Sequence, residues 1–254
     1  MRNVSTGRCR SAIAIVAAGL FAVMASSAAA QSVEEVIAKN IKAQGGREAL
    51  LGLKAVERKG TVAVDGSFGQ MDGTVEEILI PWKKAVRSLD LAVFQQRDGY
   101  NGKVAWRDGM MGIQEVEGEE ANQIKQSVDV NPFIMIAERG AKAEKLDDEK
   151  IEDVDYTIVQ LTPKDRPPVK FFLDKETGLV KRTTLKQKSP QFGEVEVVVD
   201  LSGYEKFGAV TLPTKNNVTL GEALKIDTVY TETKVDGKVD EAIFEMPKAE
   251  AAAN

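Results

Sequence analysis

The sequence contains no histidine, and its one cysteine, Cys9, stands close to the N-terminus. Without histidine the chain cannot build a Ser-His-Asp triad, a Cys-His pair or a histidine-ligated zinc site. Its glycines are scattered at turns and form neither a P-loop nor a GxGxxG segment after a strand. These absences favour binding or carriage over catalysis. We expect no catalytic residue, no cofactor, no transition metal and no effect of a chelator on the melting temperature.

Basic residues are also too few for a nucleic-acid surface. Lys and Arg total 34 against 39 Asp and Glu, a net charge of -5 in 254 residues. Nucleic acid is therefore not expected as a partner. The acidic runs, such as residues 147–149, have the composition of solvated segments, and no loop has the spacing of an EF-hand. We interpret these carboxylates as surface residues rather than acid-base or calcium groups.

The N-terminus has the pattern of a secretory signal peptide. Three arginines precede an apolar run over residues 12–24, and small residues at 28–30 offer a cleavage site. We predict a signal peptide over residues 1–30, a mature N-terminus at Gln31 and a periplasmic protein. Cys9 precedes the apolar run, so it is not a lipobox cysteine. The alternative is an uncleaved N-terminal anchor; no later apolar run is long enough to span a membrane.

The sequence after the signal begins with a predicted helix. Ser32 followed by Glu35 is a capping box, apolar residues recur at helical spacing, and Gly45-Gly46 ends the helix. From Ala55 the period changes to two, which predicts about ten antiparallel strands. Two segments interrupt them, a polar helix over residues 119–128 and a short apolar helix at 133–139 after Asn131-Pro132.

These elements predict an α+β protein with a single domain over residues 31–248 and a disordered tail over 249–254. So many strands in one sheet must curl or close. We expect a strongly curved antiparallel sheet, an unclosed β-barrel of about ten strands, with an N-terminal helix and a helical lid over an apolar groove.

The apolar residues in the middle of the chain are the candidate ligand-binding residues. Residues 133–136 are apolar on all sides, which indicates burial on two sides or a cavity wall. Leu89 and Leu91 share one strand face and Val86 and Phe94 the other, so one cavity would need a bulge to include all four. The alternative is plain hydrophobic core. The predicted ligand-binding residues are Val86, Leu89, Leu91, Phe94, Trp106, Phe133, Ile134 and Ile136.

Several segments, in this order, resemble the periplasmic lipoprotein-carrier and outer-membrane-lipoprotein-sorting group, the LolA-like superfamily. They are residues 100–106, 131–139, 172–174 with 177–180, and 242–247. The resemblance implies an unclosed barrel with a helical lid and acyl chains in its cavity. It implies as partners an acylated lipoprotein or lipid, and transient inner- or outer-membrane proteins, and it does not imply an enzyme. We expect a monomer. These carriers often have an arginine before the proline at Pro81, where this chain has Ile80.

Two functions of different classes follow. The first is a periplasmic carrier or binder of lipidated proteins or lipids. The second is a periplasmic interaction or sensor protein that uses the same fold to dock a protein partner without lipid carriage. An enzyme comes third.

Overall fold

The computed structural model describes residues 31–67, 69–164, 166–189 and 193–248. The predicted signal peptide and tail lie outside these residues. The described helices are α1 Val33–Ala43, α2 Arg47–Gly52, α3 Gly118–Gln126 and a 3-10 helix Glu241–Phe244. None of the helices in this described part is long and apolar enough to cross a membrane.

Helix α1 forms as its sequence predicts. The Ser32 hydroxyl accepts a hydrogen bond from the Glu35 amide, and the Glu35 carboxylate accepts one from the Ser32 amide. The chain leaves the helix through Gly45, whose φ is 115°. A Cβ at Gly45 would lie 2.2 Å from the carbonyl oxygen of Ala209, so glycine is needed at this close approach.

The strands form one antiparallel sheet that is open between its two end strands, β6 and β7. Over the described residues its order is β6-β5-β4-β3-β2-β1-β14-β13-β12-β11-β10-β9-β7, with β8 paired to β9. The strands are β1 Val56–Gly66, β2 Gly69–Ile80, β3 Lys84–Asp90, β4 Gln95–Tyr100, β5 Ala105–Gly109, β6 Gly112–Val116, β7 Lys142–Lys145, β8 Glu149–Ile151, β9 Val154–Thr162, β10 Val169–Asp174, β11 Val180–Ser189, β12 Gly193–Phe207, β13 Val210–Leu220 and β14 Leu224–Val235.

The prediction of about ten strands was too low, since the described sheet has 14. Part of the difference lies in β7 and β8, whose charged residues give no clear apolar period of two. Both pair with β9, and β7 follows it from Lys142 opposite Thr162 to Lys145 opposite Val159. The partner strand sets their conformation, and charged side chains suit strands with an unpaired edge.

The predicted lid also differs from the structure. Helix α3 occupies the predicted polar helix, but residues 132–140 form consecutive turns and no helix. The Asn131 side chain accepts a hydrogen bond from the Phe133 amide at 2.8 Å. Phe133 and Ile134, 3% and 2% exposed, are then buried in two separate hydrophobic clusters. Because successive side chains enter different parts of the core, this segment lacks the single buried face of a surface helix.

Candidate binding cavity

One face of the sheet borders a cavity of about 600 Å³. Its walls come from seven consecutive strands, β10 through β14 and then β1 and β2. Seven flat strands would extend over about 30 Å, so the sheet curves around this cavity. A volume of this size suits a small-molecule or lipid ligand.

Strand alternation makes most of the cavity wall apolar. Val199 on β12 pairs with Thr183 on β11 and with Val218 on β13, and all three side chains face the cavity. The apolar residues of the wall are Val56, Leu79, Val169, Phe171, Val180, Leu185, Val199, Leu201, Leu212 and Val218.

The other side of the cavity is formed by residues 118–139, which we call the lid. Helix α3 contributes Gln123 and Gln126, and the turns after it contribute Asp129 and Pro132. A second cavity of about 380 Å³ adjoins the first and shares Gln126, Asp129 and Pro132 with it. The same short segment therefore borders both spaces, so its movement would change the access to both.

A buried polar contact joins the lid to α1. Asn131 is 1% exposed, and its Nδ2 donates to Asn40 Oδ1 at 2.8 Å and to Gln44 Oε1. Asn40 in turn donates to the carbonyl oxygen of Gly178 at 2.8 Å. These side chains satisfy one another in the interior, where an unpaired amide would be costly.

One further contact joins the lid to the sheet, and two lie within the lid. The Trp82 amide donates to the carbonyl oxygen of Val128 at 3.0 Å, directly after the Ile80-Pro81 step. The guanidinium of Arg139 makes two hydrogen bonds to the Asp129 carboxylate. Burial raises the pKa of Asp129, and Arg139 opposes this effect. The lid is thus joined by a main-chain hydrogen bond to the residue after Pro81, the proline before which the resemblance implied an arginine.

A row of alternating charges crosses the same face of β1 to β5. The register places Arg58, Glu77, Arg87, Asp98 and Arg107 side by side on successive strands. Arg58 contacts Glu77, and Arg107 Nε lies 2.7 Å from Asp98 Oδ1. The row ends on the lid, where Arg107 Nη1 lies 2.7 Å from Glu120 Oε1.

Glu77 is shared by two arginines in a largely buried place. Its side chain is 12% exposed; Arg58 hydrogen-bonds one carboxylate oxygen, and Arg87 Nε lies 3.9 Å from the other. Burial alone would raise the pKa of Glu77, but the two guanidinium charges outweigh it and hold that pKa below its ordinary value. Glu77 is therefore ionised at neutral pH, and two positive charges surround its one negative charge.

Arg58 places the positive charge of its guanidinium at the cavity wall. Its guanidinium lies 4.3 Å from the centre of the Tyr230 ring, and both side chains line the cavity. Burial, and then the nearby Glu77 charge, raises the pKa of Tyr230, so its hydroxyl stays neutral. The Nε atoms of Arg58 and Arg87 are buried and have no hydrogen-bond partner.

The eight residues predicted from the sequence do not come together at one site. Val86 and Trp106 lie on the opposite face of the sheet and form a cluster with Phe244. The Trp106 indole is 0% exposed and donates to the Phe244 carbonyl oxygen at 2.8 Å. It also occupies the space beside Gly99, where a Cβ would lie 2.2 Å from the ring.

The other predicted residues are divided among the core and the lid. Leu89, Leu91 and Phe94 pack together beside Val62 and Val75, and none of the three borders the 600 Å³ cavity. Phe133 packs edge-on against Phe171, with 5.2 Å between the ring centres, while Ile134 lies in another cluster. Ile136 borders the smaller cavity. A ligand contact by these residues stays a prediction.

Sequence reasoning missed Arg58 as a cavity residue, although one signal was present. In β1 the alternate positions Val56, Arg58, Gly60, Val62 and Val64 form a single face, and four of the five are apolar or glycine. A charged residue in a face that is otherwise buried needs a partner in the interior. That partner, Glu77, lies on the neighbouring strand.

The structure is similar to solved structures with the LolA-like fold. A LolA superfamily protein from Nitrosomonas europaea has a TM-score of 0.59 and 12% identity, with 85% of this chain and 98% of that chain covered. A domain named for outer membrane lipoprotein sorting, from Vibrio parahaemolyticus, has a TM-score of 0.59 and 8% identity over 84% and 95%. A DUF1329 family protein from Desulfovibrio piger has a TM-score of 0.61 and 11% identity over 85% and 98%.

At these identities the likeness concerns the fold, and it confirms the LolA-like architecture predicted from the sequence. No protein-family model matches the chain, and no curated protein matches it in sequence.

Proposed function

We propose that the protein is a periplasmic carrier or binder of lipids or lipidated proteins, which holds an acyl chain between the sheet and the lid. The observation that carries this proposal is the cavity of about 600 Å³ with its apolar wall from seven strands. Burying an acyl chain is worth about 0.8 kcal/mol per CH₂, or about 12 kcal/mol gross for a sixteen-carbon chain. The name of one structural neighbour, which refers to lipoprotein sorting, supports the same ligand class.

Two neighbouring valines allow a matched test. Val199 borders the cavity, whereas Val198, next to it on β12, points to the opposite face; both are half-buried. Val199→Trp fills cavity space without adding a charge, and Val198→Trp adds the same side chain outside it. We expect native mass spectrometry of protein exported by the host to show bound lipid in the wild type and in Val198→Trp. Val199→Trp should lose most of that lipid.

Melting temperatures measured on the same preparations check the folding of each variant. A folded Val199→Trp protein with a full lipid load would contradict the proposed site. Wild-type protein that carries no lipid, and takes up none from lipid vesicles, would contradict the proposed function itself.

One feature favours the second function, docking of a protein partner. Val93, Met110 and Met111 are exposed at two hairpin turns. The register of β4 with β5 places both turns at the same end of the sheet. Docking would be favoured over carriage by two results together. The purified protein would contain no lipid, and Met110→Ser with Met111→Ser would abolish its binding to a protein partner.

A further inference from the structure

The charged residues of the cavity wall are unevenly balanced. In the described structure the wall includes Arg58, Lys215 and Asp129 as charged residues. The Asp129 carboxylate is already bound by Arg139 in a two-hydrogen-bond pair. Lys215 is exposed to solvent, so Arg58 is the wall cation in the more buried position, with 17% of its side chain exposed.

Arg58 shares its carboxylate partner with a second arginine. Its one carboxylate partner, Glu77, is also approached by Arg87 at 3.9 Å, so two guanidinium groups share one negative charge. The buried Nε of each arginine has no hydrogen-bond partner. The neutral ring of Tyr230 lies over Arg58, and the Tyr230 hydroxyl is hydrogen-bonded to the Glu77 carboxylate. Arg58 is thus a largely buried cation on a mostly apolar wall, where an anionic ligand oxygen would make a charge-assisted hydrogen bond with it.

We propose that the cavity selects an amphiphile with an anionic headgroup, a single-chain carboxylate or phosphate monoester, whose anionic oxygens contact Arg58 while its chain lies along the apolar wall. The chain then contacts Val199, Leu201 and Val218, which lie on neighbouring strands of the same face. This inference rests on the proposed function and narrows its ligand from any acyl group to one with a negative charge.

Dodecyl probes that differ only in the headgroup test the inference. We would measure the binding of dodecanoate, dodecyl phosphate and dodecan-1-ol to the delipidated full-length mature protein by calorimetry. The anions are kept below their micelle concentrations and the alcohol below its solubility limit. The anions should bind at least about tenfold more tightly than the alcohol, since a hydrogen bond to a charged group is worth about 1.5–3 kcal/mol. The two anions distinguish a fatty acid from a phosphate headgroup.

Three variants assign the effect to Arg58. Arg58→Gln should weaken dodecanoate about tenfold and change dodecan-1-ol less than about twofold. Lys59→Gln removes an equal charge next to Arg58 but on the opposite face of β1, outside the cavity wall, and should change dodecanoate binding less than about twofold. Glu77→Gln should strengthen dodecanoate binding, because the ligand carboxylate then takes the place of the lost one. A merely structural role of the pair predicts weaker binding in both Arg58→Gln and Glu77→Gln.

The outcomes separate the inference from the proposed function. If the alcohol binds as tightly as the anions, or if Arg58→Gln weakens all probes equally, the cavity binds acyl chains and the headgroup inference is wrong. If Arg58→Gln does not fold, Glu77→Gln decides, and unchanged or weaker dodecanoate binding overturns the inference. If no dodecyl probe binds the wild type, the proposed function fails and the inference fails with it.

Discussion

At position 58 an arginine stands where strand alternation places a side chain in the interior. A buried ion pair is weak evidence for stability, because desolvation offsets much of the attraction, but removal of one partner leaves an uncompensated charge. Arg58 and Glu77 are 17% and 12% exposed. Single substitutions in this pair should therefore have large effects, and Arg58 borders the cavity.

Glu77 gives a prediction for the pH dependence of stability. Folding lowers its pKa, so its contribution is complete above the ordinary value of 4.5 and is lost as the pH falls through the lower folded-state pKa. Glu77→Gln should reduce the free energy of unfolding by about 3 kcal/mol at pH 7. The difference from the wild type should shrink as the pH falls below 4.5, as measured by urea unfolding across that range.

The adjacent Glu76 is the control. It pairs with Lys59 on the opposite face, and both side chains are about half exposed. Glu76→Gln should change the free energy of unfolding by less than about 1 kcal/mol. Equal effects of the two substitutions at pH 7 would show that the buried pair has no special importance.

At the scale of the elements, the lid depends on contacts with α1 that are distant in sequence. Asn131 and Asn40 are partners in a buried hydrogen bond at 2.8 Å. Asn131→Ala should reduce the free energy of unfolding by about 1–3 kcal/mol, because Asn40 and Gln44 lose a donor in the interior. The double variant Asn40→Ala with Asn131→Ala should be less destabilised than the sum of the single variants. Strict additivity in urea unfolding would exclude the coupling.

Aspartate substitutions at Ile134 and at Ile136 differ in their expected effects. Ile134 is 2% exposed and packs beside Leu50 and Val210 in the core, while Ile136 is half-buried at the smaller cavity. Ile134→Asp should unfold the protein, since a buried unpaired charge is among the most severe substitutions. Ile136→Asp should fold with a lower melting temperature. Circular dichroism and thermal melting decide this, and a normally folded Ile134→Asp protein would contradict the assignment of Ile134 to the core.

How well the elements could be predicted depended on how local their causes are. The capping box of α1 lies within four residues, so the sequence predicts it correctly. Strands β7 and β8 depend on pairing with β9 and carry charged residues, so periodicity does not reveal them. The segment after Asn131 lacks a helix because Phe133 and Ile134 enter different clusters, which only the assembled core determines.

The cavity was hard to predict for a related reason. Strand parity assigns faces correctly within β3, where Val86 and Leu89 lie on opposite faces. The turn over residues 91–94 interrupts the alternation of side chains between the two faces. Phe94 therefore lies on the same side as Leu89 and Leu91. Which strands border the cavity depends on the curvature of the whole sheet, a property without a local sequence signal.

For the molecule as a whole, the proposal requires export. Removal of residues 1–30 as a signal peptide would take Cys9 with it and leave a mature chain without cysteine. N-terminal sequencing of protein purified from the periplasm of an expression host should begin at Gln31. A sequence that begins at Met1 would contradict the predicted signal peptide and favour an uncleaved N-terminal segment.

The central claim is that an acyl chain lies between the sheet and the lid. Its most direct test is a crystal structure of the mature protein loaded with 16-bromohexadecanoic acid, with data collected at the bromine absorption edge. The account predicts one anomalous peak inside the 600 Å³ cavity, against the wall that includes Val199, Leu201 and Val218. Bromine located only on the outer surface, or a cavity that excludes the chain under saturating ligand, would contradict it.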